Sequence, residues 1–232
     1  YDTEHILIGT GSGIQAYSYA TDQFTHVPFI TVDGDTLPIY ISSITRLSSG
    51  KVVACIAGHG SGWILHNDKG NLYAQQETKY ATGNNHVSPG LIFEDKEQNL
   101  WIINNEHEVY LMPKGKGEGI PVDVPDSPRN FCMGASGKIY LGCEQAGLLV
   151  YDKQAGRFVP VSPGDGNYNL WNIRPWTDGR IFICTDGYGL KIYDEQTGKI
   201  TQSTIQTNDF SLATANVKDA VSDKYGNVWI GI

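Results

Sequence analysis

Short apolar runs bounded by turn residues recur along the whole chain. Each run follows a turn containing Gly or Asn, has a large apolar or aromatic residue near its start, and continues with apolar or small residues. Such runs predict strands, and no segment keeps a 3.6-residue period long enough to predict a helix. Taking the large residue of each run as a marker gives a repeat whose six markers are Leu7, Val53, Trp101, Tyr140, Phe182 and Trp229.

The markers lie 39 to 48 residues apart, and the units between them share one internal order. The marker strand is followed by a Gly-rich turn and by an apolar strand that ends in Tyr, as at Tyr17, Tyr151 and Tyr193. A polar turn, a more polar strand and a looser connection complete the unit. With turn signals every 8–12 residues or so, this order predicts four strands per unit.

The apolar pattern of the marker strands indicates how the units pack. Residues 100–103 and 181–184 are nearly continuous apolar runs, and such strands need cover on both faces. A lone four-stranded sheet cannot bury two apolar faces, whereas radially stacked sheets cover each other. The sequence therefore predicts an all-β fold, a β-propeller of four-stranded blades. We expect residues 1–232 to form a single propeller segment of about five blades that belongs to a larger propeller.

Composition and charge narrow the partners. The chain has 232 residues, of which 40 % are apolar and 18 % charged, so it can bury a core. Its formal charge of −8 repels phosphate backbones and anionic membranes, so nucleic acid is not an expected partner.

The four cysteines carry no metal or redox motif. They form no CxxC pair and show no metal-ligand spacing, and six histidines are scattered over different repeat positions. We expect buried free thiols, with a disulfide between blades as the alternative. Neither a metal nor a cofactor is expected. The cysteines are Cys55, Cys132, Cys143 and Cys184.

Two segments resemble a known repeat. Residues 221–231 (VSDKYGNVWIG) and 92–102 (IFEDKEQNLWI) resemble the two-component regulator propeller repeat, and residues 9–17 resemble its second half. The resemblance implies a seven-bladed propeller in the periplasmic sensor region of a hybrid two-component histidine kinase, the extracytoplasmic part of an inner-membrane protein. It implies an oligosaccharide ligand from a complex glycan, neighbouring propeller and signalling modules as partners, and leaves a homodimer open.

Propeller geometry selects candidate ligand-binding residues. In a four-stranded blade, the turn between the second and third strands lies on the same face as the connection between blades. Aromatic and planar hydrogen-bonding side chains suit a sugar ring, which stacks through its C–H face and hydrogen-bonds through its rim. The turns offer His59, Asn105, Glu106, Glu144, Asp186 and Tyr188, and the connections offer Tyr40, His86, Arg129, Trp171 and Asn172.

Other readings remain open at this point. Glu106, Glu144 and Asp186 come from successive blades and could supply a carboxylate pair, so a propeller-type glycan hydrolase or lyase is one alternative. A protein-interaction scaffold is another. We nevertheless expect no catalytic residues, because no nucleophile motif occurs and acidic loop residues suit a solvated surface. Trp101 and Trp229 are expected in the blade core, and Trp63 and Trp176 are expected to pack.

Overall fold

The computed structural model describes most of the chain in two compact units. Unit 1 is Tyr1–Glu106 with Tyr110–Pro121, and unit 2 is His107–Val109 with Val122–Ile232. Each unit is described by itself. The described residues are 4–30, 40–57, 61–69, 71–79, 81–82, 85–86, 89–162, 168–205 and 211–232.

Unit 1 begins with a three-stranded and a five-stranded sheet. The first has the order β1-β2-β3 and the second β4-β8-β7-β6-β5. Short strand β4 runs parallel to β8, whereas the other described pairs of this sheet are antiparallel. Four strands were predicted here, and β4 is the extra one. The strands are β1 (His5–Thr10), β2 (Gly13–Ser18), β3 (Gln23–Val27), β4 (Phe29–Ile30), β5 (Ile41–Arg46), β6 (Val52–Ile56), β7 (Ser61–Asp68) and β8 (Asn71–Lys79).

A short hairpin and a four-stranded sheet follow. The sheet has the order β11-β12-β13-β14, so consecutive strands are neighbours throughout. It belongs to unit 1 except for Val109 and Val122 at its edges. The strands are β9 (Ala81–Thr82), β10 (Asn85–His86), β11 (Pro89–Glu94), β12 (Leu100–Asn104), β13 (Val109–Met112) and β14 (Ile120–Val122).

Unit 2 contains two four-stranded sheets and a two-stranded one. Their orders are β15-β16-β17-β18, β19-β20-β21-β22 and β23-β24. A 3-10 turn at Thr177–Gly179 links β19 to β20. The strands are β15 (Pro128–Met133), β16 (Ile139–Cys143), β17 (Gly147–Asp152), β18 (Arg157–Pro160), β19 (Leu170–Pro175), β20 (Arg180–Thr185), β21 (Leu190–Asp194), β22 (Lys199–Gln202), β23 (Asp219–Ser222) and β24 (Val228–Gly231).

Burial follows the repeat. All five residues of β6 and of β16 are buried, whereas the fourth strands β18 and β22 are largely exposed. Strands β6 and β20 are covered on both faces because two apolar clusters of the same unit lie on either side of each sheet, whereas β1 and β24 keep exposed residues. Every predicted marker lies in a described strand, which confirms the all-β repeat.

The tryptophans separate into buried and exposed ones. Trp63 and Trp101 are 1% and 2% exposed, as predicted. Trp176 stacks on Phe182 with ring centroids 4.5 Å apart, so it also packs. The prediction for Trp229 is wrong, because this side chain is 65% exposed. Strand β24 pairs with β23 alone in the described part of the chain, so nothing there covers the indole.

The cysteines are structural. All four are buried and free, as predicted. Burial raises the pKa of the Cys55 thiol to about 11 and the pKa values of Cys143 and Cys184 to about 12. These thiols therefore stay protonated at neutral pH and behave as small apolar groups.

Candidate functional site

The first strand of each four-stranded sheet in unit 2 contains a β-bulge. In β15 the pairing passes from Pro128 directly to Asn130, and in β19 from Leu170 directly to Asn172. The skipped residues, Arg129 and Trp171, therefore have no partner in the ladder. A bulge of this kind re-aims one side chain while the rest of the strand keeps its pairing.

The residue after each bulge stabilises the kink. Oδ1 of Asn130 accepts the backbone N–H of Phe131 at 2.9 Å, and Oδ1 of Asn172 accepts that of Ile173 at 2.9 Å. Nδ2 of Asn130 also donates to Oδ1 of Asn172 at 2.5 Å, which ties β15 to β19. Asn172 is a predicted ligand-binding residue, and its side-chain oxygen thus accepts hydrogen bonds from within the protein.

The predicted turns and connections of unit 2 lie side by side. The backbone N–H of Glu144 donates to the carbonyl of Ser127 at 2.8 Å, and that of Asp186 donates to Asn169 at 2.8 Å. The N–H of Leu170 donates to the carbonyl of Glu144 at 2.8 Å, so the turn of one sheet reaches the connection that leads into the next.

Asp126 fixes the turn after β16. Its Oδ2 accepts the backbone N–H groups of Gln145 and Ala146, the latter at 2.9 Å. Partial burial raises the pKa of Asp126. The hydrogen bonds from the backbone of Gln145, Ser127 and Ala146, together with the positive charge of Arg129, outweigh this effect and hold the pKa below its usual range. The carboxylate is therefore ionised at neutral pH and holds the turn in place.

Trp171 lies among charged side chains. Nη2 of Arg129 is 2.6 Å from Oε2 of Glu144, and the guanidinium carbon is 5.9 Å from the centroid of the Trp171 ring. Nζ of Lys218 is only 3.4 Å from the same centroid. Trp171 is 38% exposed, so its indole remains open to a ligand on the part of the ring that Lys218 leaves uncovered.

Lys218 lies beside Trp171 and was not among the predicted ligand-binding residues. Its backbone N–H donates to the carbonyl of Gly231 at 2.8 Å, directly before Asp219 pairs with Gly231. Lys218 therefore has the repeat position that Arg129 and Trp171 have in the two preceding sheets. Aligning Val217 with the first residues of β15 and β19 would have revealed it.

The remaining predicted residues of unit 2 are peripheral to this group. Tyr188 is 52% exposed, and its ring centroid is 6.4 Å from that of Tyr168. Asp186 is half-buried at the turn after β20. Neither shows a contact with Trp171 among the described residues.

The predicted residues of unit 1 are spread over different turns. Tyr40 is 60% exposed, and Glu106 lies at the exposed turn after β12. Nδ2 of Asn105 is buried without a hydrogen-bond partner among the described residues. His59 lies outside the described residues, as does the side chain of His86.

Two further features bear on chemistry. In the described ranges, no group of three His, Cys, Asp or Glu side chains could hold a metal ion. No helix among the described residues is long and apolar enough to cross a membrane.

Solved structures with a similar fold are numerous. No protein-family model matches the chain, and no curated protein does. The extracellular domain of the hybrid two-component system BT3049 from B. thetaiotaomicron matches 98% of this chain with a TM-score of 0.77 at 19% identity. The corresponding domain of BT4673 from the same organism matches 98% with a TM-score of 0.72 at 18% identity. The chain has the β-propeller fold.

The length of the matches differs between relatives. The chain spans 30% of each of the two extracellular-domain chains. Virginiamycin B lyase from Staphylococcus aureus is also similar, with a TM-score of 0.69 at 14% identity over 99% of this chain and 78% of the lyase. The fold is thus shared by extracellular domains of two-component systems and by an enzyme, and fold alone does not decide between them.

Proposed function

We propose that this chain is part of the extracytoplasmic sensor propeller of a hybrid two-component signalling protein and binds an oligosaccharide without cleaving it. The observation that carries the proposal is the match to the BT3049 extracellular domain over 98% of the chain. The Asp-Lys-x-x-Asn-x-Trp turns at residues 95–101 and 223–229, typical of the repeat family named above, support it independently.

The same proposal places residues 1–232 in one propeller of seven blades within a longer chain. The 30% coverage of the sensor proteins supports a longer parent. The parent protein would also contain neighbouring propeller modules in the periplasm, a membrane anchor and a histidine kinase, as the resemblance implies.

The ligand site we propose is the group around Trp171 in unit 2. A partly exposed indole offers a stacking surface for the C–H face of a sugar, and Arg129 and Glu144 offer donors and acceptors for its hydroxyls. The bulges in β15 and β19 place Arg129 and Trp171 outside the hydrogen-bonded ladder, so both side chains are available for contacts without weakening the sheet.

Calorimetric titration of the full-length extracytoplasmic region with glycan digests, with product analysis of each mixture, tests this function. We expect saturable binding of one oligosaccharide, an unchanged oligosaccharide after incubation, and loss of binding in Trp171→Ala. Asn169→Ala, which removes a neighbouring side chain and keeps the backbone carbonyl that binds Asp186, serves as control. Absence of binding to every digest contradicts the proposal.

A glycan lyase or hydrolase is the second candidate. The fold that the chain shares with virginiamycin B lyase, over 78% of that enzyme, keeps this candidate open because an enzyme can be built on this propeller. Product analysis separates the two functions, because an enzyme converts the bound oligosaccharide into new reducing or unsaturated ends, whereas a sensor returns it intact.

A further inference from the structure

Two cationic side chains of unit 2, Arg129 and Lys218, lie beside the ring of Trp171, and only Arg129 has a carboxylate partner among the described residues. Lys218 is exposed, and its ammonium group lies on the Trp171 ring, with no ion pair in the described part of the chain. Nε of Arg129 is buried and has no hydrogen-bond acceptor among the described residues. The Arg129 side chain as a whole is 29% exposed, so it and the ammonium group of Lys218 make the surface around Trp171 cationic and attractive to an external anion.

The carboxylates nearby are already committed. Asp219, the residue next to Lys218, receives two hydrogen bonds from Arg174, from Nε at 3.0 Å and from Nη2 at 2.9 Å. Glu144 pairs with the Nη2 end of Arg129 at 2.6 Å. Arg174 thus binds one carboxylate through two nitrogens. Arg129 reaches a carboxylate through Nη2, and the ammonium group of Lys218 lies on the ring of Trp171.

We propose that the ligand is an acidic oligosaccharide, whose carboxylate or sulfate group accepts a hydrogen bond from Nζ of Lys218 while its sugar ring contacts the exposed part of Trp171. Both Lys218 and the guanidinium of Arg129 lie within 6 Å of the centroid of that ring, so both attract an anionic substituent on a sugar bound there. The inference rests on the proposed function, since it specifies the class of sugar at the same site.

The charge of the whole chain restricts the ligand further. The chain carries a net charge of −8, so an extended polyanion that lies along its surface meets repulsion from acidic side chains away from the site. Two cations on one ring supply attraction only at short range, because salt screens charges beyond about 8 Å. The site is therefore suited to a short acidic oligosaccharide and unsuited to a long anionic polymer.

Matched pairs of oligosaccharides test the inference on the full-length extracytoplasmic region. One arm uses uronate-containing oligosaccharides and their carboxyl-reduced forms, and the other uses sulfated oligosaccharides and their desulfated forms. The variant is Lys218→Met, which removes the charge and keeps an apolar chain over the indole. The control is Lys224→Met, because Lys224 also lies over an aromatic ring, Tyr225 at 5.1 Å, but at the opposite end of β23.

We expect one acidic oligosaccharide to bind at least about tenfold more tightly than its neutralised form, and Lys218→Met to lose about the same factor while Lys224→Met does not. The arm that binds identifies carboxylate or sulfate as the anion. Equal binding of charged and neutralised forms, or an unaffected Lys218→Met variant, overturns this inference and leaves oligosaccharide sensing intact. If no sugar of either kind binds, both proposals fail.

Discussion

The two Asp-Lys-x-x-Asn-x-Trp turns of the chain are alike in hydrogen bonding and opposite in burial. In unit 1, Oδ2 of Asp95 accepts Nε1 of Trp101 at 3.0 Å, and in unit 2, Oδ2 of Asp223 accepts Nε1 of Trp229 at 3.2 Å. In both turns the carboxylate also accepts the side-chain amide of the Asn and two backbone N–H groups.

The difference lies in what covers the indole. Trp101 is 2% exposed and Trp229 is 65% exposed. Strand β12 has β11 on one edge and β13 on the other, whereas β24 has only β23 within the described residues. The motif thus encodes the turn and the Asp–Trp hydrogen bond, and the surrounding strands decide how much that turn contributes to stability.

Truncation of the two indoles gives the largest expected contrast. Trp101→Ala removes a buried aromatic side chain and should lower the free energy of unfolding by about 3–5 kcal/mol. Trp229→Ala should change it by no more than about 0.5 kcal/mol, because the side chain is mostly exposed. Urea denaturation of the chain measures both. Equal losses would show that Trp229 is covered in solution.

Replacing the carboxylates is the next largest change. Both oxygens of Asp95 accept hydrogen bonds, two at Oδ1 and two at Oδ2. Asn has only one side-chain oxygen, so in Asp95→Asn the amide nitrogen faces two donors that lose their acceptor. Since Asp95 is only 7% exposed, we expect a loss of about 1–3 kcal/mol in the same denaturation experiment. Asp223→Asn should have a distinctly smaller effect, because water can satisfy the groups that the carboxylate leaves. A larger loss at Asp223 would contradict the comparison.

The fourth residue of the turn also differs. Gln98 has φ 65° and Gly226 has φ 87°, so both adopt the left-handed conformation that side chains disfavour. Gln98→Gly relieves strain but adds freedom to the unfolded chain, and we expect a net stabilisation of under about 1 kcal/mol. Gly226→Gln should be destabilising, although a Cβ there meets no atom within 4 Å. Thermal denaturation of the two reciprocal variants measures this.

Acid should release the exposed turn at Asp223. The hydrogen bond from Asn227 is the main reason that the pKa of Asp223 lies below its usual range, with the indole of Trp229 and two backbone N–H groups adding to it. A lowered folded-state pKa stabilises the turn fully above the unfolded value of about 4, and the contribution is lost as pH falls through the folded value. Trp229 fluorescence should therefore change in that range.

The control for this titration is Asp223→Asn, which removes the titrating group and should abolish the change. A Trp229→Phe variant shows whether the remaining tryptophans contribute to the signal. The comparison is wrong if the fluorescence change persists in Asp223→Asn.

The repeat itself was predictable because it depends on local patterns. The apolar run that contains Phe182 becomes β20, buried along five of its six residues, and Leu7 lies in β1 as the pattern predicts. The exposure of Trp229 was not predictable, since the same Asp-Lys-x-x-Asn-x-Trp pattern leads to the buried Trp101. Strand β4 was also missed, because only two residues pair with β8 and their pattern resembles a loop.

The candidate site was predictable only in part. Propeller geometry correctly placed the turn at Glu144 beside the connection at Ser127, because the alternation of strands determines which loops share a face. It could not give the bulge at Trp171 or the position of Lys218 on the indole. These depend on a one-residue register shift that leaves no strong mark in composition.

The recurring bulge has a consequence for how such proteins diversify. The skipped residues in the four described first strands are Ser42, Gly90, Arg129 and Trp171, which differ in size, charge and polarity. None of them contributes to the pairing register, so a different side chain there need not shift the ladder, although a Cβ at Gly90 would come within 3.2 Å of Oδ1 of Asn105. The fold thereby separates positions at which side chains can vary from those that hold the sheets together, and new ligand preferences can arise while the register of the sheets is kept.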